Sequence, residues 1–183
     1  MKISDTPIAD VKLISSFHHE DERGSFVKNF SDSLLQLNGI SFTLKESYFS
    51  NSSKGVIRGL HFQTPPHQHA KIVFISSGLI QDVIVDLRKG SSSYGAHLEF
   101  FLNADRPQAL YLPPGIAHGF CAVENSTVHY LQSSEHAPCH DNGILYSSIN
   151  VQWACSTILL SKRDLQFPPL SDFDSPFIFG ADC

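Results

Sequence analysis

Between Gly55 and Gln63 the chain reads Gly-Val-Ile-Arg-Gly-Leu-His-Phe-Gln, which sets one imidazole three residues after one guanidinium at the end of a β-type apolar run. Imidazole is the side chain best suited to moving protons near neutral pH. The permanent cation of Arg58 suits a phosphate. His61 and Arg58 together point to proton transfer beside an anion site, in an enzyme acting on a phosphorylated or nucleotide-linked substrate.

A second histidine cluster raises the question of a metal. His67-Gln68-His69 is followed much later by Pro113-Pro114-Gly115-Ile116-Ala117-His118. Two neutral imidazoles two apart on a strand face the same side and could share a cation, with His118 as a third ligand. Cupin-type barrels that hold a metal also place a glutamate shortly after such a pair; here that stretch runs through Val73 and Phe74. Pro65-Pro66 before the pair argues for a loop, so the expectation is loop histidines and no metal or other cofactor.

The elements that must position these groups are short strands. Lys71–Ile75, Asp82–Leu87, His97–Leu102, Ala109–Leu112 and Thr127–Leu131 are β-type runs, separated by turn chemistry such as Ser76-Ser77-Gly78 and Lys89-Gly90-Ser91. Strands at this spacing predict an all-β sandwich or barrel. Helix is scarce: Ser31–Leu37 reads as one short helix with a polar start, and Ser161–Asp164 as the opening of a helical turn. The 14 Phe suit a barrel with apolar walls around a pocket, so the expected fold is a jelly-roll barrel with a few short helices.

Composition narrows the setting. A length of 183 residues predicts one domain, and 42% hydrophobic residues suffice for a core. A net charge of −5 without long charge runs argues against nucleic-acid binding by bulk electrostatics. No apolar stretch approaches transmembrane length and Met1–Asp5 carries no signal-peptide pattern, which predicts no membrane association and a cytoplasmic protein. Cys121, Cys139, Cys155 and Cys183 form no Cys-x-x-Cys pair and are expected as free thiols.

The run around His61 resembles the signature of the dTDP-4-dehydrorhamnose 3,5-epimerases. So do Asp21-Glu22-Arg23-Gly24, Ala70–Val73, Asp82–Arg88, Leu112–Phe120 and Leu160–Asp164, in the family's order over roughly residues 10–170. The resemblance implies a metal-free cupin-type barrel that dimerises, with its N-terminal segment reaching into the partner's site. It implies a nucleoside-diphosphate 4-keto-6-deoxyhexose as substrate, whose ketone acidifies the hydrogens on C3 and C5. By that resemblance His61 is the base, Asp164 the carboxylate that orients it, Tyr130 the acid on the opposite face, and Lys71 the cation at the ketone oxygen. Arg23 and Arg58 match diphosphate contacts, and His118 a sugar-pocket residue. Phe26, Lys28, Glu46 and Gln63 complete the expected binding set. Lys71 matters because an α-hydrogen and an imidazolium differ by roughly a dozen pKa units, on the order of 16 kcal/mol, which a His–Asp dyad alone does not supply.

Bland readings stand beside these. Asp82 rivals Asp164 as the partner of His61, Lys71 could be a surface residue, and Arg23 could be salt-bridged in its loop. The sequence also departs from the family: Phe26-Val27-Lys28 and Glu46 replace a more acidic and a more neutral pattern, and Glu135-His136 replaces a tyrosine pair. A carboxylate at 46 can accept from an exocyclic amine, which cytosine has and thymine lacks. This favours a CDP-linked sugar over a dTDP-linked one, as in O-antigen pathways, unless Glu46 and Lys28 simply pair. The competing functions are a metal-dependent cupin enzyme using His67, His69 and His118, and a non-catalytic sugar-nucleotide-binding cupin.

Overall fold

Each β-type run of the sequence becomes a strand, ended by the turn residues that follow it. The computed structural model describes residues 1–180. In chain order it contains β1 (Lys2–Asp5), β2 (Lys12–Ser15), β3 (Phe17–Asp21), β4 (Gly24–Lys28), helix α1 (Asp32–Leu37) and β5 (Glu46–Ser52). There follow β6 (Ile57–Gln63), β7 (Lys71–Ser77), β8 (Leu79–Asp86), β9 (His97–Asn103) and β10 (Gln108–Leu112). The last strands are β11 (Ile116–Ala122), β12 (Ser126–Gln132) and β13 (Asp141–Gly143), and short 3-10 turns include Asp164–Gln166. No helix among the described residues is long and apolar enough to cross a membrane.

The strands form a six-stranded sheet in the order β1-β2-β10-β7-β12-β5 and a five-stranded sheet in the order β13-β6-β11-β8-β9, paired antiparallel throughout. Val73, Leu110 and Val128 from the first sheet meet Ile80, Ile84, Ile116 and Phe120 from the second in one core. This is the expected all-β jelly roll of the cupin type. Strand β8 is buried almost along its whole length, because its second face is covered as well. There Leu60, Val83, Val85 and Ala117 pack under Ile144, Ile149 and Phe177 from the C-terminal segment. The tail is therefore part of the barrel wall through Phe177, and Phe173 packs on Phe62 at 5.0 Å between ring centroids.

The hairpin β3–β4 forms its own two-stranded sheet and is mostly exposed. Phe17 and Phe26 pack edge to face on it at 6.3 Å, still about half exposed.

The cysteines depart from the expectation of free thiols. Cys121 on β11 and Cys155 in the segment after β13 are joined as a disulfide. Turn-rich sequence between the two gives no spacing signal that their chains lie side by side. Cys139 is free and exposed, and Cys183 lies outside the described residues.

Gly59 lets β6 and β11 approach closely. Its φ is +123°, and a Cβ there would lie 2.5 Å from Gly119 Cα and 2.8 Å from His118 O. Only glycine fits both the backbone and the approach of β6 to β11. Gly59→Ala is expected to lower stability by about 3 kcal/mol, combining left-handed strain with overpacking. Urea unfolding of the two proteins checks this.

Candidate active site

Alternation along the strands aims one set of polar side chains at a cavity of about 390 Å³ between the sheets. Glu46, Tyr48 and Ser50 of β5 enter at period two, as do Tyr130 and Gln132 of β12. The register places Tyr130 opposite Tyr48 and Gln132 opposite Glu46. From the other sheet come Arg58, His61 and Gln63 of β6 and His118 of β11, and Lys71 enters at the start of β7.

His61 and Asp164 meet despite a separation of more than a hundred residues. His61 Nε2 lies 2.9 Å from Asp164 Oδ1, and the Gly59 N–H donates to Asp164 Oδ2 at 3.3 Å. Burial works against the Asp164 carboxylate, but the hydrogen bonds from His61, Gly59 and Ser161 together with the His61 charge outweigh it and hold its pKa below the usual range. With Nε2 donating to Asp164, Nδ1 of His61 carries the free lone pair. Phe167 packs edge-on against the imidazole at 5.6 Å.

Asp82 is not the rival partner of His61. It is fully buried and bonded through Oδ2 to His118 Nε2 at 2.7 Å. The reason lies in the register: Asp82 stands opposite Phe120 on β11, whose neighbouring strand position on the same face is His118.

Tyr130 stacks on Tyr48 at 4.7 Å and sits 6.1 Å edge-on from His118. Burial raises its phenol pKa far above neutrality, so it keeps its proton. Tyr48 is pushed up to about 12 by burial and by the carboxylates of Glu46 and Asp141. Lys71 is buried rather than a surface residue, and its ammonium donates to the His61 carbonyl at 3.2 Å. Burial brings its pKa down to about 8 against the opposing pull of Asp141 and Asp82. The cavity thus holds a nitrogen base oriented by a carboxylate, a protonated phenol on the opposing sheet, and a buried cation.

Other expected residues are placed differently. Gln63 lines the cavity, but its amide is committed: Oε1 accepts from Ala137 N–H at 2.7 Å, and Nε2 donates to His67 O at 2.8 Å and His69 Nδ1 at 3.0 Å. It clamps the loop after β12 rather than offering free groups to a substrate. Arg58 donates to Ser52 Oγ at 3.0 Å and to Asn51 O at 3.3 Å, which sets its guanidinium at the cavity mouth. Glu46 accepts the His136 N–H at 2.6 Å and does not pair with Lys28 within the chain. Arg23, Phe26 and Lys28 lie on the β3–β4 hairpin, away from the cavity lining of their own chain, and Arg23 is bound to Asp21 at 2.5 Å. That is the loop pairing weighed against an anion role, and it follows from the short turn joining two exposed strands.

His67 and His69 diverge. His67 is exposed and packs against His140 at 4.6 Å, whereas His69 is buried in the cavity wall. The Pro65-Pro66 turn breaks the strand alternation that would have aligned them. No group of three or more His, Cys, Asp or Glu with metal-ligand geometry occurs among the described residues.

Sequence reasoning missed Asp141 and Arg163. Arg163 Nη2 bonds Asp141 Oδ2 at 2.8 Å, and His136 Nε2 reaches the same carboxylate at 3.1 Å. These residues close one side of the mouth. Arg163 adjoins Asp164 and was findable on that ground; Asp141 carries no periodic signal.

Residues 5–172 match the dTDP-4-dehydrorhamnose 3,5-epimerase family. The chain belongs to that family. The 3,5-epimerase of Shigella flexneri is 33% identical over 178 residues, covering 95% of this chain and 98% of that one. A dTDP-4-dehydrorhamnose 3-epimerase from Streptomyces niveus is 35% identical over 168 residues, covering 90% and 81%. Among solved structures, the Legionella pneumophila dTDP-6-deoxy-D-glucose-3,5-epimerase in complex with dTDP-4-keto-L-rhamnose superposes with a TM-score of 0.93 at 29% identity, covering 98% of this chain and 99% of that one. The Sulfolobus tokodaii 3,5-epimerase gives 0.89 at 34% identity, covering 96% and 99%. Membership in this epimerase family makes the chain a carbohydrate epimerase of the deoxysugar type.

Proposed function

We propose that the protein epimerises a dTDP-linked 4-keto-6-deoxyhexose at C3 and C5. The observation that carries this is the His61–Asp164 pair and Tyr130 lining one cavity from opposite sheets, with the Lys71 ammonium buried in the same wall. Nδ1 of His61 takes a proton from the carbon next to the ketone. The electron pair moves onto the ketone oxygen as an enolate, which Lys71 stabilises. Tyr130 returns a proton to the opposite face, which inverts the centre, and the step is redox-neutral. Arg58 holds the diphosphate.

The cytosine preference drawn from Glu46 weakens in the fold, because that carboxylate has a backbone partner in His136 N–H. The epimerases similar to this chain are named for dTDP sugars, which supports thymine. Arg23, Phe26 and Lys28 complete the reading only if a second copy receives the β3–β4 hairpin, so the functional unit is taken as a homodimer.

Incubation in deuterated water with dTDP- and CDP-linked 4-keto-6-deoxyglucose, separately, tests the reading by NMR and mass spectrometry. Label at C3 and C5, faster with the dTDP sugar, is the expected result. No label with either sugar, from protein that binds them, would instead leave a binding module.

A further inference from the structure

The structure assigns a use to a buried group that the epimerase reading does not employ. We propose that His69 is a second hydrogen-bond donor to the sugar's carbonyl oxygen, acting beside Lys71; the proposal rests on the epimerase reading above. His69 lies two residues before Lys71 and lines the same cavity, with 7% of its surface exposed. Its Nδ1 faces the Gln63 amide nitrogen at 3.0 Å. The orientation of that amide is fixed, because Gln63 Oε1 accepts from Ala137 N–H at 2.7 Å. The two amide hydrogens of Gln63 go to its two shortest contacts, His67 O at 2.8 Å and His69 Nδ1 at 3.0 Å, with Glu135 O farther at 3.2 Å; Nδ1 is therefore the acceptor, and the ring proton is on Nε2. Nε2 is buried without a hydrogen-bond partner in the protein.

A buried N–H left unpaired is costly and rare. Beside a cavity shaped for a sugar, the missing partner is a ligand oxygen. Burial and the neighbouring Lys71 cation drive the imidazole pKa down to about 3, so the group donates as a neutral ring throughout the working range. A neutral donor next to a cation divides the developing enolate charge between two fixed groups.

The test compares His69→Phe, which removes the donor, with His69→Gln, which keeps an N–H at similar reach. His69→Phe is expected to slow deuterium incorporation from solvent into dTDP-4-keto-6-deoxyglucose by about 100-fold, mainly in kcat, with the Kd for dTDP unchanged. His69→Gln should stay within about tenfold of the parent. Exchange at the parent rate in His69→Phe would overturn the proposal, as would a loss of dTDP affinity in step with rate. Should His69→Phe not fold, the His69 Nε2–H resonance of the parent protein decides. It should move downfield with the 4-keto sugar nucleotide and stay in place with dTDP-glucose, which lacks the carbonyl; an equal response to both overturns the proposal. A parent protein that binds the keto sugar without exchanging label would sink the epimerase reading alone, since this resonance still reports whether His69 meets the carbonyl.

Discussion

His61→Asn is expected to slow deuterium incorporation at C3 and C5 by about 10³-fold, within the range that a lost general base costs. Asparagine offers no basic nitrogen near neutral pH, yet its amide N–H can still reach toward Asp164, so the buried carboxylate need not lose every donor on that side. The fold should survive, and dTDP should bind as before, because Arg58 is anchored independently on Ser52 and Asn51. A change in acid stability should accompany the loss of activity. Folding lowers the Asp164 pKa, so the carboxylate contributes stability that is full above its ordinary value of 3.8 and fades as pH falls through the lowered folded value. Weakening the His61 bond reduces that contribution, and the variant should lose less stability on acidification than the parent. Exchange rates with urea unfolding at pH 7 and pH 3 measure both effects. An exchange rate within tenfold of the parent would remove His61 from the base role.

The strands that carry the site were the most legible part of the chain. Lys71–Ile75, Asp82–Leu87 and Thr127–Leu131 alternate or run apolar between turn residues, and each lies almost wholly inside a strand of the sheets. Local pattern is enough there because side-chain period and turn chemistry agree. The pairing of His61 with Asp164 was not readable from spacing, since more than a hundred residues separate them; it came from resemblance, and the geometry places them in contact. Elsewhere in the cavity a nonlocal contact takes part of a side chain's hydrogen-bonding capacity. Gln63 and Glu46 have the chemistry of ligand contacts, but backbone N–H groups of the loop after β12 claim them. No local rule foresees which loop will fold over a strand end.

The histidine pair shows the same limit at shorter range. Spacing of two predicts a common face only on an unbroken strand, and the turn at Pro65-Pro66 sends His67 to solvent and His69 inward. The hairpin residues Arg23, Phe26 and Lys28 show the same limit, because they lie away from their own chain's cavity and take a binding role only in the proposed homodimer. The hairpin leaves Phe17 and Phe26 about half exposed, a surface that the proposed homodimer would cover.

Lys71→Met is expected to move activity and stability in opposite directions. The ammonium is buried and its pKa falls from 10.5 to about 8, which at 1.36 kcal/mol per unit costs about 3 kcal/mol of stability at neutral pH. Methionine fills similar volume without the charge. Subtracting about 1 kcal/mol for the lost hydrogen bond to the His61 carbonyl leaves a net gain of about 2 kcal/mol. The sign in pH follows from proton counts. Between about 8 and 10.5 the unfolded lysine holds its proton while the folded one has released it, so the parent gains stability as pH rises through that window. The variant has no such rise, and the two stability curves should converge toward pH 10. Activity runs the other way: loss of the cation at the enolate oxygen should cut kcat by about 10² to 10³-fold, and the parent's own rate should fall as Lys71 deprotonates above about pH 8. Urea unfolding of both proteins at pH 7 and pH 10, with exchange rates across pH 6 to 9, measures these outcomes. A destabilised Lys71→Met at pH 7 would mean that Asp141 and Asp82 hold the ammonium more strongly than burial opposes it. A variant of undiminished rate would hand the ketone oxygen to another donor.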